Sequence, residues 1–164
     1  MRSLDELKAS LGDDFKDMRL NLGNVLENGE LEPTERWAAA LATAGAAHLT
    51  AQAVADARAA SAIMGMNTVY YRFRHMIGKP SYSQRPAGLR MSRMGKPATT
   101  KGLFEVCSLA CAVLAGCEAC VKAHEQSLLQ EGYSEDRVHH AVRIAAVVHG
   151  FLIAKAAETP ASVA

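Results

Sequence analysis

An excess of charge of either sign is missing from this chain: 18 Lys and Arg stand against 17 Asp and Glu, for a formal net charge of +1. No electrostatic footprint for nucleic acid or anionic lipid is visible at that level. Long apolar runs are also missing. No stretch reaches the roughly 18 residues that a membrane-spanning helix needs, and the richest late run, Ala141 to Ala157, is interrupted by Arg143, His149 and Lys155. The first residues, Met1-Arg2-Ser3-Leu4-Asp5-Glu6, are polar and acidic, unlike a secretory signal, so a reducing cytoplasm is the expected compartment. Four cysteines in 164 residues are too few for a disulfide scaffold. Aromatics make up only 5%, β-branched residues are sparse, and no alternating strand pattern of useful length occurs. What is abundant is alanine, which favours helix. With 49% hydrophobic and 21% charged residues, the composition predicts a single all-α domain over residues 1–164.

Local signals divide the chain into helices. Ser3-Leu4-Asp5-Glu6 reads as a capping box opening a short helix that runs to about Leu11. Asp13 and Asp14 start a second, with Phe15, Met18, Leu22 and Val25 on one face, ended by Asn28-Gly29. Glu32-Pro33-Thr34-Glu35 starts a third, with Trp37, Ala40, Leu41 and Ala44 as its buried face. Thr50 caps a fourth to about Met64, and Gly65 is read as an interruption before Asn67 to Ile77. Residues 78–100 lack helical periodicity and hold Pro80, Pro86 and Pro97, which predicts a surface loop with one short turn. Helices resume over 101–115 and from Cys117 to Glu131, broken at Gly116, with Gly132 as a C-cap. The last begins at Ser134-Glu135-Asp136 and runs to about Glu158. The stretches Ala62 to Asn67 and Val113 to Glu118 resemble each other, which raises a duplicated helical hairpin as an expectation.

Chemistry concentrates at Cys117-Glu118-Ala119-Cys120. In a reducing compartment a CxxC pair is redox-active or metal-binding more often than structural. Gly116 suits a turn into a helix whose N-terminus stabilises thiolate through its dipole and free N–H groups. Cysteines three apart share a helix face and can form a disulfide, and His124, four beyond Cys120, can help remove its proton. Glu105 is a carboxylate inside an apolar run, Leu103-Phe104-Glu105-Val106-Cys107. It either snorkels to solvent or is held for function, and reaches the cysteines if the two helices pack together. A zinc site is the competing reading of the pair, with His124 or Cys107 and Cys111 completing four ligands. Cys107 and Cys111 by themselves read as buried small hydrophobes. His139 and His140 read as solvent-facing or interfacial, His149 as a packed core residue, and Met64, Met66, Met76, Met91 and Met94 as packing. A thioredoxin fold is excluded, because no βαβ pattern surrounds the motif.

These residues resemble the alkyl hydroperoxidase D (AhpD) family, within the carboxymuconolactone decarboxylase-like superfamily. The resemblance rests on Asp17 to Leu22, Ala62 to Arg72, Arg85 to Met91, Phe104-Glu105, and Gly116 to Cys120 followed by Ala123-His124-Glu125. It implies an all-α antioxidant enzyme that reduces organic hydroperoxides without a bound cofactor. By position, Cys120 is implied to attack the peroxide and Cys117 to resolve it as a redox disulfide, with Glu105 and His124 as proton relay. It further implies electrons from the lipoyl group of a carrier protein, an AhpC-type peroxiredoxin partner, and a homotrimer. One departure stands out: the family's best-known form has a histidine before the second cysteine, and this chain has Ala119. Two rival readings remain, a carboxymuconolactone decarboxylase-type lyase using His124 and Glu105, and a non-enzymatic zinc-binding helical protein.

Overall fold

The computed structural model describes residues 3–44 and 49–158, and among these every regular element is helical. In chain order the helices are α1 (Leu4–Ala9), α2 (Lys16–Glu27), α3 (Pro33–Ala44), α4 (Ala51–Ile77), α5 (Pro80–Ser83), α6 (Ser92–Gly95), α7 (Lys101–Leu114), α8 (Glu118–Gln130) and α9 (Glu135–Glu158). A single 3₁₀ turn, Asp13–Phe15, precedes α2. The capping box at Ser3 is formed in full, with Ser3 Oγ accepting from the Glu6 N–H and Glu6 returning its carboxylate to the Ser3 N–H. Thr50 and Thr100 cap α4 and α7 in the same manner, each hydroxyl accepting from an N–H three residues on. Side-chain placement for Ala44, part of the expected face of α3, lies outside the described residues.

The centre of the fold is α7, which packs against α3, α4, α8 and α9. Gly102 to Ala110 and Ala112 are all buried, so this helix is enclosed on every side. One core groups Val106, Leu109 and Ala110 with Leu22, Val25 and Leu26 of α2 and Ile144, Ala145 and Val148 of α9. A second joins Phe104 and Cys107 to the alanine faces of α3 and α4. By length and composition α9 is apolar enough to cross a bilayer, but its apolar stripe is the one packed against α2, α3 and α7.

Two expectations of helix layout change. Gly65 does not interrupt α4, which runs unbroken for 27 residues. A mid-helix glycine costs about 1 kcal/mol, and burial of Ala57, Ala60, Met64, Asn67 and Thr68 on the flanking turns outweighs that. The two similar stretches therefore differ in conformation: residues 62–67 lie inside one continuous helix, whereas Gly116 sits at φ +62° in a turn. The 78–100 segment holds two helical turns rather than one.

Two histidines exchange roles. His149 is exposed, whereas His140 is only 2% exposed. Its Nδ1 accepts from the Leu31 N–H at 3.2 Å, so the ring proton lies on Nε2, which donates to the Val25 carbonyl at 2.9 Å. The ring ties α9 to the turn after α2, and Gly29, at φ +119°, is the only residue type that fits there, because a Cβ would meet the imidazole. Burial pushes the His140 pKa below its ordinary value, with Arg143 and Arg36 acting in the same direction. The unfolded chain then takes up a proton that the folded chain refuses. Stability from this residue is complete above about pH 6.5 and declines as pH falls from there through the lower folded value. We predict that His140→Ala costs on the order of 2 kcal/mol in urea unfolding at neutral pH and flattens the decline in stability between roughly pH 6.5 and 5. An unaltered pH slope in the variant would show that His140 is not its source.

Candidate functional site

The turn Ala115–Gly116 reverses the chain between α7 and α8 and delivers Cys117 to the N-cap of α8. Cys117 is fully buried and Cys120 is 6% exposed. The two are joined in a disulfide, with Cα atoms 5.3 Å apart. The N–H groups of the first turn of α8 lack intrahelical partners, and Cys117 at the N-cap and Cys120 within that turn lie at the positive end of the helix. On reduction this favours thiolate. Met64 of α4 and Ala112 of α7 complete the cluster in which the sulfurs sit.

Glu105 and His124 do come together. Glu105 is 5% exposed, and its Oε2 lies 2.6 Å from His124 Nδ1. Enclosed by its neighbours on α7, Glu105 cannot snorkel to solvent, and the imidazole meets its need for a partner. The other ring nitrogen, Nε2, faces the Met64 sulfur at 3.2 Å. In this disulfide state no hydrogen bond links His124 to Cys120, although both open onto the same cavity.

That cavity encloses about 250 Å³ and is lined by Asn67, Tyr71, Met91 and Met94 on one side and Ala119, Cys120, Ala123 and His124 on the other. Its lining is overwhelmingly apolar. Asn67 donates from Nδ2 to the Met91 sulfur, while its Oδ1 is buried with no hydrogen-bond partner. Ala119 occupies wall space, so the position where the resemblance expects a histidine contributes only a methyl group.

The opposite wall hangs on a carboxylate that the sequence reading passed over. Asp56 of α4 is fully buried. It accepts from Arg93 Nε, the Ala98 N–H, the Thr99 N–H and the Thr99 hydroxyl, all at 2.7–2.9 Å. Burial alone would raise its pKa, but these donors outweigh burial and hold it below the ordinary carboxylate value. The anchor fixes residues 93–99 against α4, and with them Met91 and Met94. The only sequence signal was an acid on a face otherwise made of alanine.

Neither remaining cysteine joins the disulfide, although Cys111 packs against the cluster that holds it. Cys107 is buried between α3, α4 and α7, and Cys111 donates to the Ala42 carbonyl. Burial pushes the Cys107 thiol well above its ordinary value and Cys111 to about 11. Among the described residues no group of three or more His, Cys, Asp or Glu side chains is placed to hold a metal ion. The four-ligand zinc set does not converge: Cys107 and Cys111 belong to other contacts, and the His124 nitrogens face Glu105 and Met64.

An all-α domain with a buried CxxC disulfide at the floor of an apolar cavity, backed by a buried His–Glu pair, defines a helical thiol–disulfide protein. Comparison with known proteins gives the family. Residues 80–162 match the Carboxymuconolactone decarboxylase family. Over 169 residues the chain is 50% identical to the alkyl hydroperoxide reductase AhpD of Anaeromyxobacter dehalogenans strain 2CP-C, covering 94% of this chain and 91% of that one. The AhpD of Rhodospirillum centenum is 44% identical, with 90% and 87% covered, and that of Streptomyces avermitilis 41%, with 89% and 91%. The chain belongs to the AhpD family, within the carboxymuconolactone decarboxylase family.

Removing the charge of Asp56 tests the anchored wall. Asp56→Asn is expected to lose about 3 kcal/mol, the usual cost of breaking a buried, hydrogen-bonded ion pair. Trypsin should then cut at Arg90 or Arg93 faster than in the unaltered protein. Equal cleavage rates would mean that the segment is held by something else.

Proposed function

We propose that this protein is an alkyl hydroperoxide reductase that cycles Cys117 and Cys120 between dithiol and disulfide. The observation that carries this reading is the position of Cys120, the more exposed sulfur, at the floor of an apolar cavity suited to an organic group. The names of relatives at 41–50% identity point the same way.

The chemistry follows from the geometry. The Cys120 thiolate attacks the terminal oxygen of the hydroperoxide, breaking the O–O bond to give a sulfenic acid and an alkoxide. The alkoxide takes a proton and leaves as the alcohol. His124 is the nearest acid–base group on the cavity wall, and Glu105 fixes its ring and stabilises its charged form. The Cys117 thiolate then attacks the sulfenic sulfur, releasing water and closing the disulfide. The N-terminus of α8 lowers the cost of thiolate at both positions. With Ala119 in place of a histidine, a single imidazole serves the cavity.

Two electrons and two protons restore the dithiol. Cys117 is sealed from solvent and Cys120 nearly so, which favours a slender dithiol such as a lipoyl group on a carrier protein. An AhpC-type peroxiredoxin is the corresponding acceptor partner. A reducing cytoplasm suits such a cycle. Assembly as a homotrimer is supported by an exposed apolar stripe on α4, formed by Val69, Phe73, Met76 and Ile77.

The test is a thiol count on the reduced protein with one equivalent of an organic hydroperoxide. Two of the four thiols should disappear as a Cys117–Cys120 disulfide, returning with dihydrolipoamide, while Cys107 and Cys111 stay reduced. Cys120→Ser should abolish turnover, and Glu105→Gln should lower it by about 10²-fold. Turnover that survives thiol alkylation would replace this reading with the lyase.

A further inference from the structure

The near-zero net charge conceals a strict segregation. Between residues 57 and 104 there are nine Lys and Arg and not one Asp or Glu, which leaves nine cations against 17 acids in the rest of the chain. This cationic block is the outer half of α4 and everything up to the start of α7, and it supplies Asn67, Tyr71, Met91 and Met94, one whole wall of the cavity. Arg72, Arg90, Arg93 and Lys96 flank those wall residues in sequence.

Few of these charges are neutralised internally. Arg93 is held by Asp56 and Lys101 by Glu131. Arg72, Arg74 and Arg85 donate to the Ala115, Ser83 and Ser81 carbonyls, which leaves their charge intact. Lys79, Arg90 and Lys96 are exposed and form no ion pair among the described residues. On the opposite wall the exposed acid nearest the disulfide in sequence is Glu118, and Lys122 and His75 both pair with it. The segment that builds the anchored wall thus carries only positive charge, while Glu118 on the opposite helix is already paired.

The disulfide lies beyond the mouth of the cavity. A cavity of about 250 Å³ admits a narrow chain but not a folded domain. A reductant carried by a protein must therefore stop at the rim and send only its dithiol inward. We propose that the cation-only surface of residues 79–96 is the landing site of an acidic carrier domain. Its flexible dithiol arm enters between Met91 and Met94 on one side and Ala119 and Ala123 on the other. The charges are spread along the whole segment, wider than the single carboxylate of a small substrate would use, and this favours an acidic protein surface. The step is a thiol–disulfide exchange. One arm thiolate attacks Cys120, the more exposed sulfur, and Cys117 leaves as a thiolate at the helix N-terminus. The second arm thiol closes the arm disulfide and releases Cys120, so that the carrier loses the two electrons and two protons that the protein gains.

This inference rests on the proposed reductase cycle, and one experiment separates the two. Reduction of the Cys117–Cys120 disulfide is followed with two donors, an isolated dihydrolipoyl domain of strongly negative net charge and free dihydrolipoamide, which is uncharged. The protein is compared with the triple variant Lys79→Glu, Arg90→Glu, Lys96→Glu. Electrostatic steering contributes about 10–10³-fold to association rates, so kcat/KM for the domain should fall at least tenfold in the variant. In the unaltered protein it should fall steeply as salt is raised to about 0.3 M, where screening is nearly complete within several ångström. Rates with dihydrolipoamide should change in neither case. Equal responses of both donors would overturn the docking surface while leaving the cycle standing, and reduction by neither donor would overturn both. A carboxylate-bearing hydroperoxide losing rate in the variant, with its methyl ester and the carrier domain unaffected, would reassign the cations to substrate selection and overturn the proposal. Circular dichroism checks the fold of the variant, and Arg90→Gln alone, with the salt series, gives the same discrimination should the triple change prove destabilising.

Discussion

The hydrogen bond between Glu105 and His124 sits where a carboxylate is hardest to accommodate. The helix that carries Glu105 is enclosed by α3, α4, α8 and α9, and its remaining residues are apolar or small over most of its length. An isolated carboxylate there would carry a desolvation cost of several kcal/mol, and a well-packed leucine would avoid it. The fold meets the cost by directing one imidazole nitrogen at the carboxylate from α8. That contact fixes the register of α8 against α7 and, with it, the height of Cys120 in the cavity. Chemistry and architecture are thus tied at one point: the group that orients the acid–base residue also sets where the nucleophile stands.

The cysteine pair needs little else. A glycine in the left-handed region turns the chain, and the helix that follows offers unpaired N–H groups to the sulfurs. Burial works against thiolate, whereas the helix terminus works for it. Cys107 and Cys111 show the first influence without the second: both lie within α7, away from any helix N-terminus, and burial pushes both upward. Four cysteines within 14 residues therefore divide into a reactive pair and an inert pair by backbone position alone.

Legibility in the sequence follows the range of the interaction. The capping box, Thr50, the CxxC turn and the ends of α7 to α9 are set by neighbours within four residues, and all were readable. His140 and His149 were misassigned because burial on a long helix depends on which face meets α2, and both positions look alike locally. Gly65 was read as a break because its local cost is visible, whereas the packing that overrides it comes from other helices. Asp56 and Met64 were missed as site residues for the same reason. Their partners lie 37–43 and 60 residues away in the chain. The charge block of residues 57–104 was present in the sequence all along, hidden by taking the total rather than the distribution.

The two walls of the cavity differ in how they are built, and that difference bears on how the site operates. The reactive wall is α8, backed by α7 and the protein core, and moving it would break the Glu105–His124 contact. The access wall is a segment of two short helical turns and coil, secured to α4 chiefly through one carboxylate. Motion at the access wall therefore costs only the local contacts of residues 91–99, with α8 left in place. Asp56 holds that wall in place, and its charge also acts on the buried Cys107 thiol.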